Sequence, residues 1–365
     1  MRLVIRYGVI GGGMMAQEHI RNIALLDGAE IAAIADLDPD MRMQAQALAG
    51  GQAAVYDNAR TMMASETCDA WVIATPNDTH CELLSQIAPD RRPVLVEKPL
   101  CTNLADCRQV AAVAKENDFP VWVAMEYRFM PPLAELIRRV DRGEAGHPIM
   151  VSIREHRYPF LTKVGGWNRF NRRTGGTMVE KCCHFWDLMR LIMKSDPIRV
   201  FASGSIAVNH LDETYDGRVP DIIDNAFAVL DFANGSRGML DLCMFAEGSY
   251  WQEIVSVTGP LGRIDAMVPP PARFLPQGTE RNPTVEVSLR NGQRVRRDVP
   301  VDRRALAAGD HYGATFYQHE QFLALARGEI AQPMVTVEDG SWAVTVGEAA
   351  ERSARTGEAV EITSP

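Results

Sequence analysis

The sequence YGVIGGGMMA at residues 7–16 decides how the first part of this chain folds. The apolar residues before the glycines predict a buried strand, and the segment Met14–Leu26 predicts a helix after them. Gly11, Gly13 and Ala16 match the spacing G-x-G-x-x-(G/A). These small residues permit a tight turn, a close approach of backbone amides to a pyrophosphate, and close packing of helix on strand. Because the helix N-terminus then faces the phosphates, the stretch predicts a dinucleotide-binding βαβ unit.

A carboxylate stands where such a unit binds ribose. A second predicted strand, Glu30–Ala35, ends in Asp36, about twenty residues after the glycines. An aspartate there accepts hydrogen bonds from ribose hydroxyls and repels the additional phosphate of NADP, although a plain surface turn is the alternative interpretation. Neither arginine nor serine follows directly. The sequence therefore predicts NAD as the cofactor, with NADP less favoured, and places these first contacts at Gly11, Gly13, Met14, Met15 and Asp36.

The composition excludes several classes of protein. The 365 residues carry a net charge of −9, which argues against nucleic acid as a partner because phosphate binding needs a basic surface. No window approaches the roughly 18 apolar residues of a membrane span, and the first strand leaves no room for a signal peptide. The seven cysteines contain no C-x-x-C pair, so neither a disulfide framework nor a metal site is expected. We expect a cytoplasmic protein.

Residues 1–125 alternate between predicted strands and helices, which is typical of a parallel, doubly wound Rossmann sheet. Ligands of such sheets bind at the carboxyl ends of the strands. The polar residues that follow the predicted strands at Ala70–Ala74 and Val94–Val96 are therefore further candidate cofactor contacts: Thr75, Pro76, Asn77, His80, Glu97 and Lys98.

Residues 126–365 have a different pattern. Paired β-rich runs, of which the clearest surrounds the turn Asn291-Gly292, predict a mostly antiparallel sheet. Helices are predicted at Thr177–Met193, Thr315–Ala326 and Gly340–Arg355, and the proline-rich residues 268–283 predict a loop. The expected architecture is α/β, with an NAD-binding Rossmann domain at 1–125 and a substrate-binding and oligomerisation domain at 126–365.

Two groups of residues can carry chemistry. Glu180 and His184 are spaced i,i+4 on the predicted helix and Asp187 follows, which suits a carboxylate that orients an imidazole base. A histidine that is merely packed is the alternative interpretation. Lys98 follows a buried strand, and beside a cationic nicotinamide its pKa would fall, which suits a group that polarises a hydroxyl. A solvated loop charge is the alternative there. Cys182 is expected to pack, as is Cys183.

These residues resemble the Gfo/Idh/MocA oxidoreductases, which include glucose-fructose oxidoreductase and inositol dehydrogenases. The resemblance covers essentially the whole chain and rests on Gly11-x-Gly13-x-x-Ala16, Asp36, Thr75-Pro76-Asn77-x-x-His80, Glu97-Lys98-Pro99 and the segment Gly175–Asp187. It implies that Lys98 and His184 flank the reacting carbon, and that an open sheet in the second domain often joins copies into a homodimer or homotetramer. Many members have aspartate where this chain has Glu180, which either pairs with His184 or reaches the substrate.

The hypothesis is oxidation of a secondary hydroxyl on a sugar, glycoside or inositol-type polyol by NAD, with Lys98, Glu180 and His184 as catalytic residues. Candidate substrate contacts are the polar and aromatic residues Tyr127, Arg128, His156, Tyr158, Trp167, Asn168, Arg169, Asn171, Arg172, His184 and His311. Two alternatives stay open: a redox-neutral enzyme that cleaves glycosides with tightly bound NAD, and a non-catalytic NAD-binding protein. The resemblance disfavours the latter.

Overall fold

The computed structural model describes residues 4–275, 279 and 281–365, which form two β-sheets with helices packed against them. The first sheet has six strands in the order β3-β2-β1-β4-β5-β6, and every pair is parallel. Its elements are β1 (Ile5–Ile10), α1 (Met14–Ile23), β2 (Ala29–Ala35), α2 (Pro39–Leu48), β3 (Ala54–Tyr56), α3 (Ala59–Ser65), β4 (Ala70–Ile73), α4 (His80–Ile87), β5 (Val94–Val96), α5 (Leu104–Asn117) and β6 (Val121–Val123).

The second sheet has nine strands in the order β14-β13-β12-β11-β7-β10-β9-β8-β15. Among the strand pairs of the described residues, β7–β10 alone is parallel. Its part of the chain contains α6 (Pro131–Asp141), β7 (Met150–His156), α7 (Asn171–Thr174), α8 (Thr177–Glu180), α9 (Cys183–Met193), β8 (Pro197–Ser205), β9 (Asn225–Phe232), β10 (Arg237–Cys243), β11 (Glu253–Gly259), β12 (Gly262–Val268), β13 (Thr284–Leu289), β14 (Arg294–Asp298), α10 (Arg303–Ala308), α11 (Ala314–Ala326), α12 (Val337–Thr356) and β15 (Val360–Glu361).

The burial of the strands follows from their sequences. Strands β4, β5 and β6 are buried at every residue, because helices cover both faces of a parallel sheet. Strand β9 instead alternates, with Ala228 and Leu230 buried and Phe227 and Val229 exposed. Helices α9 and α12 cover the buried face of this second sheet, and its other face remains open.

The predicted α/β architecture is confirmed, with one parallel and one mostly antiparallel sheet. Three differences are informative. The predicted helix Thr177–Met193 is two helices, α8 and α9, separated by a turn at residues 181–182. Strand β8 and helix α6 were not predicted, although the proline pair that opens α6 is a recognised helix start. Of the predicted loop at 268–283, residues 276–278 and 280 lie outside the described residues.

The C-terminal helices return to the first sheet. Helix α11 packs on α1, and its His319 and Phe322 side chains contact the ring of Tyr7 on β1. The amide of Val123 on β6 donates a hydrogen bond to the carbonyl of Val335 at 3.2 Å. We retain the proposed boundary between residues 125 and 126, with the addition that residues from the second domain complete the core of the first.

Three further findings concern the described residues. None of the helices among them is long and apolar enough to cross a membrane. Within the same residues, no group of three or more histidine, cysteine or acidic side chains could hold a metal ion. All seven cysteines are free, and all except Cys243 are buried.

Candidate active site

A cleft of about 940 Å³ runs along the carboxyl ends of the first sheet and is lined from the other side by residues of the second domain, including Thr162–Gly165, Trp167 and Arg173. It lies where the strand order reverses, between β1 and β4, which is the usual ligand site of an open α/β sheet. The cleft brings together most of the predicted cofactor residues: Gly11, Gly13, Met14, Met15, Asp36, Thr75, Pro76, Asn77, Glu97 and Lys98.

The glycine turn has the geometry that a pyrophosphate needs. Gly11 has a φ of +106°, and a Cβ there would lie 2.4 Å from the carbonyl oxygen of Ala74, so no other residue fits. A Cβ on Gly13 would meet nothing within 4 Å, because this residue faces the open cleft. Gly13 also caps α1 without any side-chain hydrogen bond, so the N–H groups of that helix end are available to phosphate oxygens. The residues present therefore fit a dinucleotide.

The carboxylate of Asp36 is fixed at the edge of the cleft. Its Oδ2 accepts a hydrogen bond from the Gly12 amide at 2.6 Å, and its Oδ1 accepts one from the Asp38 amide at 2.8 Å. An arginine that was not predicted from the sequence also lies beside Asp36. Arg42 donates to the backbone carbonyl of Asp36 at 2.6 Å, so its guanidinium is engaged by the same turn.

His80 does not line the cleft. It is fully buried, with Nδ1 2.9 Å from the carbonyl of Pro99 and Nε2 3.2 Å from the carbonyl of Thr75. It thereby joins the two loops that follow β4 and β5. The prediction that His80 contacts the cofactor is corrected to a role in holding both loops, because its ring lies beneath them.

Glu97 does line the cleft, and two histidines stand behind it. Its Oε1 lies 2.9 Å from His19 Nε2, and His19 Nδ1 lies 2.8 Å from His319 Nε2. Its other oxygen accepts a hydrogen bond from the Lys98 amide at 3.2 Å. Neither histidine was predicted as a functional residue, since each lies on an amphipathic helix with no motif around it.

Glu180 joins the two domains through two lysines. Its Oε1 lies 3.7 Å from Lys98 Nζ and 3.5 Å from Lys163 Nζ, and Asn77 donates a hydrogen bond to its Oε2. Lys98 Nζ also donates to the Glu180 carbonyl at 3.1 Å. Burial opposes ionisation, but Lys98 and Lys163 outweigh it and lower the pKa of Glu180 to about 2. Glu180 is therefore an ionised carboxylate that holds Lys98 in place.

The fall in pKa expected for Lys98 depends on a bound cationic nicotinamide, whereas the protein alone sets the charge of this lysine through its neighbours. Burial lowers its pKa, but the surrounding carboxylates of Glu180, Glu97 and Glu126 have the larger combined effect, and the pKa is raised above its ordinary value. Lys98 is therefore charged in the protein itself, which suits electrostatic stabilisation of an oxyanion. The reason is that three acidic side chains from separate segments converge on it, which the sequence pattern did not show.

His184 has a different neighbour from the one predicted. The break between α8 and α9 removes the helical i,i+4 relation to Glu180, and the Glu180 carboxylate is directed at the two lysines instead. The carboxylate beside the imidazole is Glu126, with Oε1 3.6 Å from His184 Nε2. The imidazole ring stacks on Tyr127, with ring centroids 4.2 Å apart and planes inclined by 11°.

The environment of His184 keeps its imidazole neutral. Burial and the positive charges of Lys98 and Lys181 hold its pKa well below the ordinary value. Beneath it, Lys181 Nζ donates to the hydroxyl of Tyr127 at 2.7 Å, and this hydroxyl donates to Glu253 at 2.8 Å. This buried network fixes the ring on which the imidazole rests. A neutral, oriented imidazole can accept a proton at physiological pH.

Cys182 and Cys183 are buried between these groups. Burial raises the pKa of the Cys183 thiol to about 12, and it raises that of Cys182 well above its ordinary value. Both thiols are therefore protonated, which agrees with the packing role expected of them.

Besides His184, two of the candidate substrate residues lie in or beside this site. Trp167 lines the cleft, and Lys163 Nζ sits over its ring at 4.5 Å from the centroid. His311 lies near the ring of Tyr127, with its Nδ1 3.8 Å from Glu126 Oε1. Tyr127 itself is buried under His184, so it positions the imidazole and offers no free hydroxyl to a substrate.

Arg128 and His156 are directed away from the cleft. Arg128 forms a buried ion pair with Asp187, with N–O distances of 2.5 and 2.6 Å. Asp187 is therefore engaged by Arg128, although it shares helix α9 with His184. His156 ends β7 and lies 2.9 Å from Asp241, on the opposite sheet face from the buried Glu155.

The remaining candidates are engaged in local structure. Asn168 donates to the carbonyl of Leu161 at 2.9 Å, Arg169 pairs with Glu213 at 2.8 Å, and Asn171 donates to the carbonyl of Asp221 at 2.8 Å. Tyr158 stacks on Phe274, while Arg172 is exposed and packs beside Phe170. Arg169 is therefore paired within the second domain, while Arg173, which lines the cleft, is tied to Asp78 at 2.7 Å.

Comparison with known proteins shows which family this chain belongs to. Residues 5–125 match the model of the oxidoreductase family GFO_IDH_MocA, NAD-binding Rossmann fold, and residues 137–362 match that of its C-terminal alpha/beta domain. Myo-inositol 2-dehydrogenase of Thermotoga maritima is 31% identical over 264 residues, covering 72% of this chain and 75% of that protein. Rhizopine catabolism protein MocA of Rhizobium meliloti is 28% identical over 256 residues, covering 70% and 76%.

Among solved structures, an oxidoreductase from Agrobacterium radiobacter in complex with NAD+, L-tartaric acid and magnesium superposes with a TM-score of 0.80. The match covers 98% of both chains at 20% identity, so it speaks for the fold alone. The family models cover most of the sequence. The chain belongs to the Gfo/Idh/MocA oxidoreductase family, and it is an oxidoreductase with an NAD-binding Rossmann domain.

Proposed function

We propose that this protein is an NAD-dependent dehydrogenase that oxidises a secondary hydroxyl of an inositol-type polyol or a sugar. The observation that carries the proposal is that a charged lysine, Lys98, lines the cofactor cleft and lies near enough to the buried His184 to help keep its imidazole neutral. Oxidation of an alcohol needs a proton acceptor and a positive charge beside the oxygen. The inositol 2-dehydrogenases among the relatives act on CH–OH groups, which supports this substrate class.

The roles of the residues follow from their charges. NAD, when bound, supplies the nicotinamide ring that accepts a hydride. His184 accepts the hydroxyl proton, since its imidazole is neutral and held by Tyr127. Lys98 stabilises the negative charge that develops on the oxygen, and Glu180 holds the ammonium group at that place. Trp167, Lys163 and His311 are our candidates for contacts with the rest of the substrate.

NAD is favoured over NADP by the position of Asp36. Its carboxylate is anchored by two backbone amides at the edge of the cleft, where it can accept hydrogen bonds from ribose hydroxyls. A 2′-phosphate there would meet a fixed negative charge. Arg42 lies close by but is engaged with the carbonyls of Asp36 and Leu37, so it leaves this charge in place.

The direct test mixes purified protein with NAD or NADP and a panel of inositols, aldoses, uronates and glycosides, and follows the absorbance of the reduced nicotinamide. We expect NADH to accumulate with at least one inositol or neutral sugar, and more slowly with NADP. Absence of reduced nicotinamide with every member of the panel would contradict the proposal. Consumption of a glycoside without free NADH would instead support the redox-neutral alternative, which the dehydrogenase relatives do not favour.

We also propose that the open face of the second sheet joins copies of this chain into a homodimer or homotetramer. Phe201, Val229 and Met239 lie side by side on β8, β9 and β10, and each is more than two-fifths exposed. Phe227, on the same face, is 64% exposed. A contiguous apolar surface of this kind is typical of an interface. The seven free cysteines favour a reducing compartment, so we keep the proposal of a cytoplasmic protein.

Replacing Val229 with glutamate should dissociate this assembly. The substitution places a charge at the centre of the apolar row, where burial against another copy would leave it unpaired. Light scattering after gel filtration should show a dimer or tetramer for the wild type and a lower mass for Val229→Glu. Val295→Glu is the matched control, because Val295 is equally exposed on the edge strand β14, away from the row. A monomeric wild type, or an unchanged mass in Val229→Glu, would contradict the proposal.

A further inference from the structure

Three titratable side chains stand in a row that begins at His184 and ends at His311. Glu126 Oε1 lies 3.6 Å from His184 Nε2, and His311 Nδ1 lies 3.8 Å from the same Glu126 oxygen. On the far side, His311 Nδ1 lies 3.6 Å from Glu18 Oε1. We call Glu126, His184 and His311 the acid–imidazole row. Its members come from three separate segments of the chain, which meet only in the folded protein.

The row is buried at one end and open at the other. Glu126 and His184 are nearly inaccessible, whereas the side chain of His311 is 20% exposed. Among the described residues, neither oxygen of the Glu126 carboxylate has a hydrogen-bond partner, and His184 Nδ1 also has none. Unpaired buried polar atoms of this kind are costly to fold, so they call for a functional explanation.

On the basis of the proposed dehydrogenase function, we propose that Glu126 and His311 carry the substrate's hydroxyl proton from His184 to solvent. Each gap in the row is about 0.5 Å longer than a hydrogen bond, which a small side-chain rotation or a bridging water closes. His184 is 1% exposed, so a proton on its imidazole needs an internal path to reach bulk water. Glu126 and His311 are thus assigned to proton transfer after the chemical step.

Between His184 and Glu126, the proton affinity rises in the direction of the proposed transfer. The pKa of His184 is held well below its ordinary value by burial, while burial raises the pKa of Glu126 to about 7. For His311, burial lowers the pKa, but Glu18 and Glu126 outweigh it and the pKa is raised. The charged groups that face the row are Glu18, Glu97, Lys98, Arg157, Lys181 and Asp310.

The step balances in atoms and electrons. As the carbinol C–H and O–H bonds break, the hydride with its electron pair passes to NAD+ and the proton to the imidazole of His184. His184 then gives a proton through Nε2 to the ionised Glu126 carboxylate, and Glu126 gives it to the neutral imidazole of His311. His311 releases it to water. The net products are a ketone, NADH and one proton, and all three side chains regain their initial charges.

The first test replaces Glu126 with glutamine, which keeps the shape of the side chain but cannot carry a proton. We expect kcat for alcohol oxidation to fall about tenfold near neutral pH. In the wild type, kcat should rise as Glu126 ionises, with an inflection near pH 7, since only the carboxylate form accepts the proton. This inflection should vanish in Glu126→Gln and persist in Glu126→Asp. Glu116→Gln, on the exposed side of α5, is the matched control. A wild-type rate and pH profile in Glu126→Gln would overturn the proposal.

The second test needs no turnover, so it separates this proposal from the proposed function. Histidine resonances of the whole protein are titrated by NMR, with His311 assigned from the His311→Asn variant. In Glu126→Gln the pKa of His311 should fall, because a neighbouring carboxylate that favours the charged imidazole has been removed. An unchanged His311 titration would overturn the proposed proton path through the acid–imidazole row, even if the protein reduces NAD with a polyol. A lowered His311 pKa without any NADH production by the wild type would count against the dehydrogenase function alone.

Discussion

Replacing His184 with asparagine is expected to lower kcat for alcohol oxidation by about 10²- to 10⁴-fold, the usual contribution of a positioned general base. The amide cannot accept a proton, whereas the imidazole of His184 is neutral and stacked in place on Tyr127. The remaining activity should rise by about tenfold per pH unit, because hydroxide then replaces the missing base. Steady-state kinetics between about pH 6 and about pH 10 would measure both effects.

The matched control is His210→Asn. His210 pairs with Glu213 at 2.8 Å and has no contact with the cleft, and asparagine tolerates its positive φ of 61°. This variant should retain wild-type kinetics. Thermal unfolding and titration with NAD should show that His184→Asn is folded and binds the cofactor. A folded His184→Asn protein with wild-type turnover would remove His184 from the mechanism.

Replacing Lys98 with methionine should lower kcat by about 10²- to 10³-fold, which is typical for loss of one group that stabilises a developing oxyanion. Lys98 is held against Glu180 and its pKa is raised, so the wild type carries a positive charge here throughout the working pH range. Lys98→Arg keeps the charge and should retain more activity than Lys98→Met. If Lys98 acted instead as a proton acceptor, both variants would lose activity equally, since arginine does not deprotonate.

Lys194→Met controls for the loss of a lysine. Lys194 is exposed and pairs with Asp141 at 2.7 Å, far from the cofactor cleft, so its replacement should leave kcat unchanged. Glu180 keeps Lys163 and Asn77 as partners in Lys98→Met, which should allow the variant to fold. Circular dichroism and NAD binding would verify this. Wild-type turnover in folded Lys98→Met would exclude the proposed role.

Much of the molecule follows from local sequence patterns. The glycine stretch at residues 7–16 specifies a turn that only glycine can adopt at position 11. A side chain there would collide with the carbonyl oxygen of Ala74, just after β4. Apolar runs such as Val94–Val96 specify buried parallel strands, because both sheet faces are covered. Since the ends of parallel strands meet at one edge, the places of Asp36 and Lys98 in the cleft also follow from sequence.

The partners of those residues were decided by the tertiary structure. Glu126 stands beside His184, and Lys163 beside Glu180, because distant segments pack together, and no local periodicity encodes such a contact. Arg128 shows the same limit of local sequence patterns. The sequence suggests a substrate contact, but the guanidinium is bonded to Asp187, 59 positions away in the sequence.

The break between α8 and α9 has the same origin. An apolar, helix-compatible segment favoured one continuous helix, but Glu180 at the end of α8 is held by Asn77 and the two lysines, while His184 on α9 stacks on Tyr127. The sequence by itself determined the two-sheet framework, the dinucleotide cleft and the two residues most suited to the chemistry. Which carboxylate serves the imidazole, and which charge Lys98 carries, was decided only in the folded protein, because burial and the field of converging charges set both.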